Sequence, residues 1–429
     1  MRVLIISPHF PPSNAADMQR VRLTLPYLQN YGIQATVLAV SPDQVASPQD
    51  PWLLGGLPTT VPIHRVRALS RKWSRLPGLG TLSGRAYYPL RKEGDRLLGE
   101  GNFDLLYFST TQFSIQLLGP LWKKRHRIPY ILDYQDPWVS DYYRNHPNVI
   151  PPGGRLKYAL ADFLNRRNEP VVLEECSGFT SVSPVYPQQL AERYPDLKIP
   201  SLILPFPGDT ADLERVQASA ITQNLFDPHD GRQHWLYVGR GGNDMTPAVR
   251  GIFAALARDK GDLSELRLHF VGTSYAAAGA GRKTIQPLAS DYGLEGIVEE
   301  HPDRIPYSEA MRALLDAHGL LVPGSDDPAY TASKIYPYLL ANRPMLAVFH
   351  EKSSVTSLMQ EVGGGSIVPF HTGEMPETIA DKITASALLP SSSAPPTLRH
   401  IPLDPVAFRP YDARSQAEKL ATFFQTCLK

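Results

Sequence analysis

Residues 319–348 combine an apolar strand-like stretch, a polar loop holding Ser333 and Lys334, a short helical stretch and a second apolar run. A strand-loop-helix junction presents free backbone N–H groups and the positive end of a helix dipole to an anion. Lys334 adds a full charge there, and the hydroxyl group of Ser333 can donate one more hydrogen bond. The segment predicts a site for a phosphorylated ligand. An ordinary helix start with a solvated lysine is the competing interpretation of the Ser-Lys pair alone.

A glycine-rich turn follows another apolar run, residues 235–238, and reads Gly239-Arg240-Gly241-Gly242. Small residues let the backbone approach a diphosphate closely, and the guanidinium group of Arg240 can bind it through two hydrogen bonds. Taken alone, a strand followed by a glycine-rich turn is more often only a tight turn without a ligand.

Two further loops follow apolar stretches in the same half of the chain. The first contains Gly272 and Thr273, and the second contains Arg304 and Ile305, whose backbone is a candidate docking place for a nucleobase. Four loops of this kind at the ends of neighbouring strands can enclose a nucleotide diphosphate.

In the first half, residues 131–138 place Asp133 and Asp136 at the end of a buried-type strand, just before Trp138. In the functional interpretation, carboxylates at such a buried strand end bind a ligand, with Asp136 as the candidate contact. In the alternative, both carboxylates serve ordinary turn chemistry around Pro137. The sequence shows no Asp-x-Asp metal pair, so we predict a metal-independent site.

The first helix opens with Asp17 and Arg20, two charged residues that are candidates to contact a ligand. A carboxylate that favours the helix start is the competing explanation of Asp17.

The elements that must position these residues alternate between strand and helix. In the first half, apolar runs predict strands at 2–6, 34–40, 104–108, 130–132 and 178–182, with helices at 15–31, 113–125 and 187–193. Pro26 predicts a kink or a break in the first helix.

After a polar connector at 208–232, the pattern restarts. We predict strands at 234–238, 267–271, 297–300 and 319–322, and helices at 246–260, 284–292 and 307–317. A further helix should begin near Tyr336, and the final stretch 411–428 is also predicted to be helical.

Strands that alternate with helices predict parallel, doubly wound sheets. We therefore expect an α/β protein with two Rossmann-like units, residues 1–207 and 208–408, facing a central cleft, and a final helix at 409–429 that packs back on the first unit. In such sheets ligands bind beyond the carboxyl ends of the strands.

Residues 64–96 form a basic, aromatic-rich stretch that carries nine Lys or Arg residues by sequence and only two acidic ones, Glu93 and Asp95. Basic and aromatic side chains suit the surface of an anionic membrane, so a peripheral membrane contact is one interpretation. A solvated basic face is the other. No nucleic-acid-binding module accompanies the charge, and the whole chain has a net charge of only +1, so we expect no nucleic-acid partner.

Only two cysteines occur, Cys176 and Cys427, and no apolar run approaches the length of a membrane span. We expect a cytoplasmic protein. The first strand is followed by Ser-Pro-His-Phe-Pro-Pro-Ser-Asn rather than a glycine fingerprint, which disfavours a nicotinamide enzyme, and no cofactor is predicted.

The order of these motifs resembles the retaining family 4 glycosyltransferases of the GT-B fold over nearly the whole chain. The matching segments are RVLIISPHFPPSNAADMQR, PYILDYQDPW, YVGRGG, HFVGTS and TASKIYPYLLANRPMLAV. The resemblance implies that residues 1–207 bind the acceptor and residues 208–408 bind the nucleotide sugar, with Arg240 and Lys334 in contact with the donor diphosphate. It implies that the first segment, with Asp17 and Arg20, meets the acceptor or the donor. Asp136 is then expected to orient a sugar hydroxyl or the acceptor nucleophile. In a front-face transfer, the leaving diphosphate itself accepts the proton of the acceptor, and the two cations stabilise its charge.

This chain departs from the family pattern at several positions. Ala329 and Pro337 replace two glutamates of the family, so the usual ribose-binding carboxylate is absent, and Asp326 or Asp327 is the candidate replacement. Gln135 stands where some members have a histidine, on the acceptor side of the site.

The favoured hypothesis is a glycosyltransferase that moves a sugar from a nucleotide diphosphate donor to a saccharide, lipid-linked or secondary-metabolite acceptor with retention. A nucleotide-sugar 2-epimerase and a non-catalytic nucleotide-sugar-binding subunit are the alternatives.

Overall fold

The computed structural model describes residues 1–76, 78–145, 151, 154–259, 261–274, 276, 279–328, 330, 332–389 and 394–428. The chain divides into two compact units, Met1–Pro207 with Ala413–Lys429, and Gly208–Asp412. Each unit is built on a parallel sheet flanked by helices, which confirms the predicted α/β class with two Rossmann-like units.

The first unit contains a seven-stranded sheet of parallel strands. These are β1 (Arg2–Ile6), β2 (Gln34–Val40), β3 (Ile63–Val66), β4 (Leu105–Ser109), β5 (Tyr130–Tyr134), β6 (Gly178–Ser181) and β7 (Ser201–Ile203). Their order is β3-β2-β1-β4-β5-β6-β7, so the direction of winding reverses between β1 and β4. Ligands of doubly wound sheets bind beyond the carboxyl ends of the strands at such a reversal.

Helices cover both faces of this sheet, and each face has its own apolar core. They are α1 (Gln19–Leu28), α2 (Leu82–Glu100), α3 (Leu118–His126), α4 (Tyr142–Asn145), α5 (Arg155–Glu174) and α6 (Val185–Arg193). Helix α1 buries Val21, Leu25 and Leu28 at helical spacing. The turn after it closes at Gly32, whose φ of 75° is a conformation that favours glycine.

Helix α15 (Ala413–Cys427), at the end of the chain, packs against α1 and belongs to the first unit. It places Leu420 and Phe424 in the same core as Val21, and the ring of Phe424 meets that of Tyr107 edge-on at 4.9 Å.

The second unit contains a six-stranded parallel sheet and a small antiparallel pair. Its strands are β8 (Gln233–Val238), β9 (Leu266–Val271), β10 (Val298–His301), β11 (Gly319–Pro323), β12 (Met345–His350), β13 (Ser366–Phe370), β14 (Leu388–Leu389) and β15 (Thr397–Leu398). The order in the large sheet is β10-β9-β8-β11-β12-β13, which reverses between β8 and β11. The candidate phosphate-binding loops follow β8, β9, β10 and β11.

The helices of this unit are α7 (Thr210–Gln217), α8 (Thr246–Ala257), α9 (Gln286–Ala289), α10 (Tyr307–Asp316), α11 (Ile335–Ala341), α12 (Ser354–Val362), α13 (Pro376–Ser386) and α14 (Pro405–Phe408). Helix α7 lies within residues 208–232, for which the sequence predicts a polar connector. Asp209 accepts a hydrogen bond from the backbone N–H group of Ala211 and so caps its start. Its Leu213 and Val216 are buried, which a short amphipathic helix achieves with few apolar residues.

Several predicted boundaries differ from the structure. Helix α1 continues through Pro26 to Leu28, so the predicted break does not occur. Strand β5 extends to Tyr134, which puts Asp133 inside the strand. The helix predicted at 284–292 is the single turn α9 followed by a 3-10 turn, because Glu300 accepts the backbone N–H groups of Thr284, Ile285 and Gln286 before the helix begins. Lys260, the predicted end of α8, and Ala329 lie outside the described residues.

The basic stretch 64–96 spans β3, a 3-10 turn at Arg71–Arg75 and most of α2. Several of its charges have partners within the unit: Arg67 pairs with Asp43 at 3.1 Å, Arg96 pairs with Glu93 at 2.6 Å, and Arg85 donates to the backbone oxygen of Leu69 at 2.9 Å. Among the described residues, no helix has both the length and the apolar character that crossing a bilayer requires.

Candidate functional site

Lys334 lies in the turn that immediately precedes α11, and its ammonium group reaches back to the end of β8. The Nζ atom donates a hydrogen bond of 2.6 Å to the Tyr237 hydroxyl group and lies 4.6 Å from the centre of the Tyr237 ring. It also passes directly over Gly239, because a Cβ atom built on Gly239 would lie 1.9 Å from Nζ. The loop after β11 and the loop after β8 therefore meet at this ammonium group.

The surroundings of Lys334 weaken its hold on its proton. Desolvation by the protein, followed by the nearby positive charge of Arg240, lowers the pKa of Lys334 to about 7, although Asp244 opposes the shift. Both protonation states of Lys334 are thus populated near neutral pH. A diphosphate bound beside it would favour the charged form.

Arg240 carries the second positive charge of this loop cluster. Its guanidinium group binds both carboxylate oxygens of Asp244, at 3.0 and 2.6 Å, and stacks over the ring of Tyr330 with the Cζ atom 4.5 Å from the ring centre. Burial alone would lower the pKa of Arg240, but the hydrogen bonds and charge of Asp244 outweigh burial and raise it. In this state, a phosphate must share or displace Asp244 to reach the guanidinium group.

Backbone hydrogen bonds join the other strand-end loops to the same cluster. The N–H group of Gly241 donates to the Thr273 carbonyl oxygen at 2.7 Å, and the N–H group of Asp326 donates to the Asp244 carbonyl oxygen at 2.8 Å. The Cα atom of Arg304 lies 3.8 Å from where a Cβ atom on Gly272 would stand, and Gly272 has a φ of 72°. The structure therefore brings together the predicted loops that follow β8, β9, β10 and β11.

The side chains within these loops differ in their exposure to solvent and therefore in whether a ligand can reach them. The Thr273 hydroxyl group is buried and donates to Glu300 at 2.6 Å, which leaves the backbone of Thr273 as the part closest to the cluster. Arg304 is exposed. The remaining predicted donor-site residues are partly exposed: Gly239, Gly241, Gly272, Ile305, Asp326, Asp327 and Ser333.

Sequence reasoning missed Tyr237, Asp244 and Tyr338 in this cluster. Tyr237 accepts the hydrogen bond from Lys334 and donates to the Arg240 carbonyl oxygen at 2.7 Å, so it links the two cationic residues. Tyr338 on α11 clamps the end of β8, since its hydroxyl group accepts from the Val238 N–H group at 2.6 Å. For Tyr237, a signal was present in the sequence, because it is the penultimate residue of β8, a strand that leads into the glycine-rich turn.

In the first unit, Asp17 is buried and forms a pair with His9. The sequence analysis did not identify His9 as a candidate site residue. The Nδ1 atom of His9 lies 2.9 Å from Oδ1 of Asp17, and Thr111 donates its backbone N–H group to Oδ2 at 3.3 Å. Burial alone would raise the pKa of Asp17, but the His9 contact and the Thr110 and Thr111 hydrogen bonds lower it overall. The pair is a histidine oriented by a carboxylate through one ring nitrogen, an arrangement that suits a general base.

Asp136 lies in the turn after β5, and its side chain is accessible to solvent. Protein groups still surround it closely enough that desolvation, with a smaller contribution from the charge of Asp17, raises the pKa of Asp136 to about 6. Of the two carboxylates predicted at the end of this strand, Asp136 is therefore the accessible one.

Asp133 and Arg20 form a buried ion pair instead of an accessible site. The Nε atom of Arg20 donates to Oδ2 of Asp133 at 2.7 Å, and both side chains have 0% exposure. Arg20 also donates to the Leu204 carbonyl oxygen at 2.5 Å, which ties α1 to the segment after β7. The structure thus places Arg20 inside the first unit rather than on an acceptor-binding surface.

Gln135 and Trp138 are also buried. The Nε2 atom of Gln135 donates to Asp133 at 2.7 Å and to the Asp17 carbonyl oxygen at 3.0 Å, so Gln135 connects the buried ion pair to the turn that carries Asp17. Trp138 donates to the Asn165 side chain at 2.9 Å and stacks on Phe113 with ring centres 5.4 Å apart. Their positions support the turn that holds Asp136.

Neither a protein-family model nor the sequence of any curated protein matches this chain. Solved structures match it over nearly its whole length. HepE of Anabaena, in complex with UDP and glucose, has 13% identity and a TM-score of 0.57, with 99% of this chain and 100% of that chain covered. WaaG, a glycosyltransferase involved in lipopolysaccharide biosynthesis, has 14% identity and a TM-score of 0.51, with 99% and 95% covered.

The N-terminal domain of a trehalose-6-phosphate phosphatase from Candida albicans also matches, with 12% identity, a TM-score of 0.57 and 100% and 96% covered. At these identities the likeness shows the fold. The two parallel-sheet units of this chain have the GT-B architecture of glycosyltransferases. One fold supports several functions, so the side chains of the site, and not the fold, define the reaction.

Proposed function

We propose that this protein is a glycosyltransferase that moves a sugar from a nucleotide diphosphate donor to a saccharide, lipid-linked or secondary-metabolite acceptor with retention of the anomeric configuration. The observation that carries the proposal is the meeting of Lys334 and Arg240 across Tyr237, at the carboxyl end of a doubly wound parallel sheet. Two cations beside glycine-rich backbone suit the diphosphate of such a donor.

In the proposed reaction, the bond between the sugar and the diphosphate breaks while the acceptor oxygen attacks the same carbon atom from the same face. Lys334, in its ammonium form, and Arg240 stabilise the negative charge that develops on the departing diphosphate. The acceptor's proton passes to a diphosphate oxygen, so the transfer needs no protein base. Arg240 can take part once the phosphate replaces Asp244 at its guanidinium group.

The rest of the donor is assigned to the neighbouring loops. The backbone of Gly239, Gly241 and Gly272 allows close approach of the diphosphate, and Ser333 donates one hydrogen bond to it. The nucleobase lies against Arg304 and Ile305, and Asp326 or Asp327 accepts hydrogen bonds from the ribose. Since HepE is solved with UDP, uridine nucleotides are the first probes to use.

On the acceptor side, Asp136 is assigned to orient the attacking hydroxyl group, because it is the accessible carboxylate of its segment. The His9–Asp17 pair favours a second mechanism, an inverting transfer in which His9 takes the acceptor's proton as a general base. The two mechanisms give products of opposite anomeric configuration. NMR of the product anomer therefore decides between them, and His9→Ala should abolish transfer only in the inverting case.

A lipid-linked acceptor would bring the first unit to a membrane surface, and we propose a peripheral contact through residues 64–96. Trp73 is 55% exposed and Leu76 is 47% exposed, next to the basic side chains of Lys72 and Arg75. Co-sedimentation with phosphatidylglycerol vesicles tests this contact, and Trp73→Ser should reduce it. Equal sedimentation of both proteins would remove residues 64–96 from the proposal.

Hydrolysis of nucleotide sugars by the purified full chain tests the proposed function. Arg240→Ala and Lys334→Ala should each lower turnover by roughly 10²–10³-fold, as expected for the loss of one charge-stabilising donor. The control is Lys352→Ala, an exposed lysine of the same unit, which should have no effect. Tight nucleotide binding without any turnover would instead favour a non-catalytic binding subunit, and a donor recovered with an inverted sugar centre would favour an epimerase.

A further inference from the structure

Three metal-ligating side chains lie together on one face of the second sheet, at its edge. Glu299 and His301 are two residues apart on the edge strand β10, and His269 on β9 is the register partner of Glu299. The Nδ1 atom of His269 is 3.5 Å from Oε2 of Glu299, and the Nε2 atom of His301 is 3.7 Å from the same oxygen. One ligand atom from each residue lies within 4.8 Å of the other two.

A chain of hydrogen bonds orients His269. The Nε2 atom of His234 lies 3.0 Å from the Asp230 carboxylate, and the Nδ1 atom of His234 lies 2.9 Å from Nε2 of His269. A carboxylate can only accept, so a neutral His234 carries its hydrogen on Nε2 and accepts from His269 through Nδ1. His269 then carries its hydrogen on Nε2, and its Nδ1 atom holds a free electron pair.

That Nδ1 atom has no hydrogen-bond partner among the described residues, and the His269 side chain is only 2% exposed. Its electron pair faces the carboxylate of Glu299, so two electron-rich groups meet without a hydrogen atom between them. A buried polar atom without a partner costs free energy, and the close carboxylate adds repulsion. A cation bound between the two groups removes both costs.

We propose that His269, Glu299 and His301 bind a divalent transition-metal ion, with Zn²⁺ as the best fit to two imidazoles and one carboxylate. Asp230 and His234 act as the outer partners that hold the tautomer and orientation of His269, as carboxylates and backbone groups commonly do for metal-bound histidines. Glu299 and His301 are about half exposed, at 50% and 47%, so the ion can enter from solvent and keep a water ligand.

The ion would join the edge strand β10 to β9 just before the loops assigned to the donor. The N–H group of Gly272, directly after β9, donates to the carbonyl oxygen of His301 at 2.8 Å. Metal binding would therefore hold the loop of Gly272 against the loop of Arg304. The inference stands apart from the proposed function, because it concerns a structural site whose ligands do not include Arg240, Lys334 or Asp136.

The test uses the full chain without an affinity tag of histidines, stripped with a chelator and titrated with ZnCl₂ by calorimetry. We expect one Zn²⁺ per chain and a higher melting temperature with the ion, because a ligand that binds only the folded state stabilises it. Glu299→Gln and His301→Gln should weaken binding by more than roughly tenfold. Both residues are half exposed, so the variants should fold.

The matched control is His371→Gln, which removes another histidine that lies beside a glutamate, with its Nε2 atom 3.6 Å from Glu374. This variant should bind Zn²⁺ like the unchanged protein. Absorption of bound Co²⁺ should show nitrogen and oxygen ligation and should vanish in His301→Gln. Zn²⁺ binding that is absent, or that is unchanged in both Glu299→Gln and His301→Gln, would overturn the proposal.

Discussion

The ammonium group of Lys334 occupies the space in which a side chain of residue 239 would begin, since a Cβ atom on Gly239 would lie 1.9 Å from Nζ. The same ammonium group donates to Tyr237 at 2.6 Å. Glycine at position 239 is therefore required for the position of the lysine, independently of any direct contact with a ligand.

This relationship predicts that Gly239→Ala displaces Lys334 and weakens binding of UDP or of the nucleotide that proves to be the donor. The loss should approach that of Lys334→Ala, while the melting temperature changes little because Gly239 and Lys334 are both partly exposed. Calorimetric titration measures the dissociation constant. The control is Gly296→Ala, where the added Cβ atom meets nothing within 4 Å. Unchanged affinity in Gly239→Ala would mean that the position of Lys334 does not matter for the nucleotide.

Nucleotide binding should depend on pH through Lys334, whose pKa is lowered to about 7. Below this pH the ammonium form is already present, and above it a bound diphosphate must recruit a proton, so affinity should fall as pH rises from about 6 to about 8.5. Calorimetry in buffers of different ionisation enthalpy should detect proton uptake of up to one per nucleotide. Lys334→Met should bind weakly and lose this dependence above pH 7.

Lys334 should also make the stability of the ligand-free protein depend on pH, but in the direction opposite to its effect on nucleotide affinity. The pKa of Lys334 in the folded protein lies below the usual lysine value of 10.5, so the unfolded chain holds more protons between about pH 7 and 10.5. The contribution of Lys334 to the free energy of unfolding therefore rises with pH across that window. A comparison of urea midpoints for the unchanged protein and Lys334→Met would reveal it.

Removing the carboxylate that competes for Arg240 should strengthen nucleotide binding. Asp244→Asn leaves the guanidinium group without its bidentate ion-pair partner, and a charge-assisted hydrogen bond to phosphate is worth roughly 1.5–3 kcal/mol. We expect roughly tenfold tighter binding of UDP near pH 6, where Lys334 is charged. Asp381→Asn, which breaks the exposed pair with Arg258, is the control. An unaltered dissociation constant for UDP in Asp244→Asn would show that Arg240 does not contact the diphosphate.

The buried pair of Arg20 and Asp133 should matter for stability. Arg20→Met leaves the Asp133 carboxylate buried without its cation, which costs roughly 3–5 kcal/mol in the free energy of unfolding. Urea denaturation followed by circular dichroism measures the change. Arg67→Met removes the pair with Asp43, whose side chains are 76% and 54% exposed, and should cost less than about 1 kcal/mol. Equal effects of the two substitutions would contradict the structural role of Arg20.

Much of the fold could be predicted from the sequence, because hydrophobic periodicity is a local property of the chain. The apolar runs of β1, β2, β8 and β11 are buried on both sides, and their alternation with helices predicts parallel sheets. The short elements α7 and β3 were missed, and so were the long helices α2 and α5, because a few apolar residues in a polar stretch give a weak signal. The strand-end loops with Arg240 and Lys334 were found since they follow strands directly.

The hydrogen-bond and ion-pair partners of the side chains could not be predicted from the sequence, because they depend on packing between segments that are distant along the chain. The residue types alone identified Arg240, Lys334, Asp17, Arg20 and Asp136 as candidates for chemistry, and their positions after strands or at the first helix start follow from the sequence. Only the tertiary structure shows that Arg20 is buried in an ion pair with Asp133, 113 residues away in sequence, whereas Asp136 is accessible to solvent. Likewise, the cross-strand register, and no spacing along the chain, places His269 opposite Glu299. Burial and hydrogen-bond geometry are properties of the assembled fold, and they determine which charged residues remain free to meet a ligand.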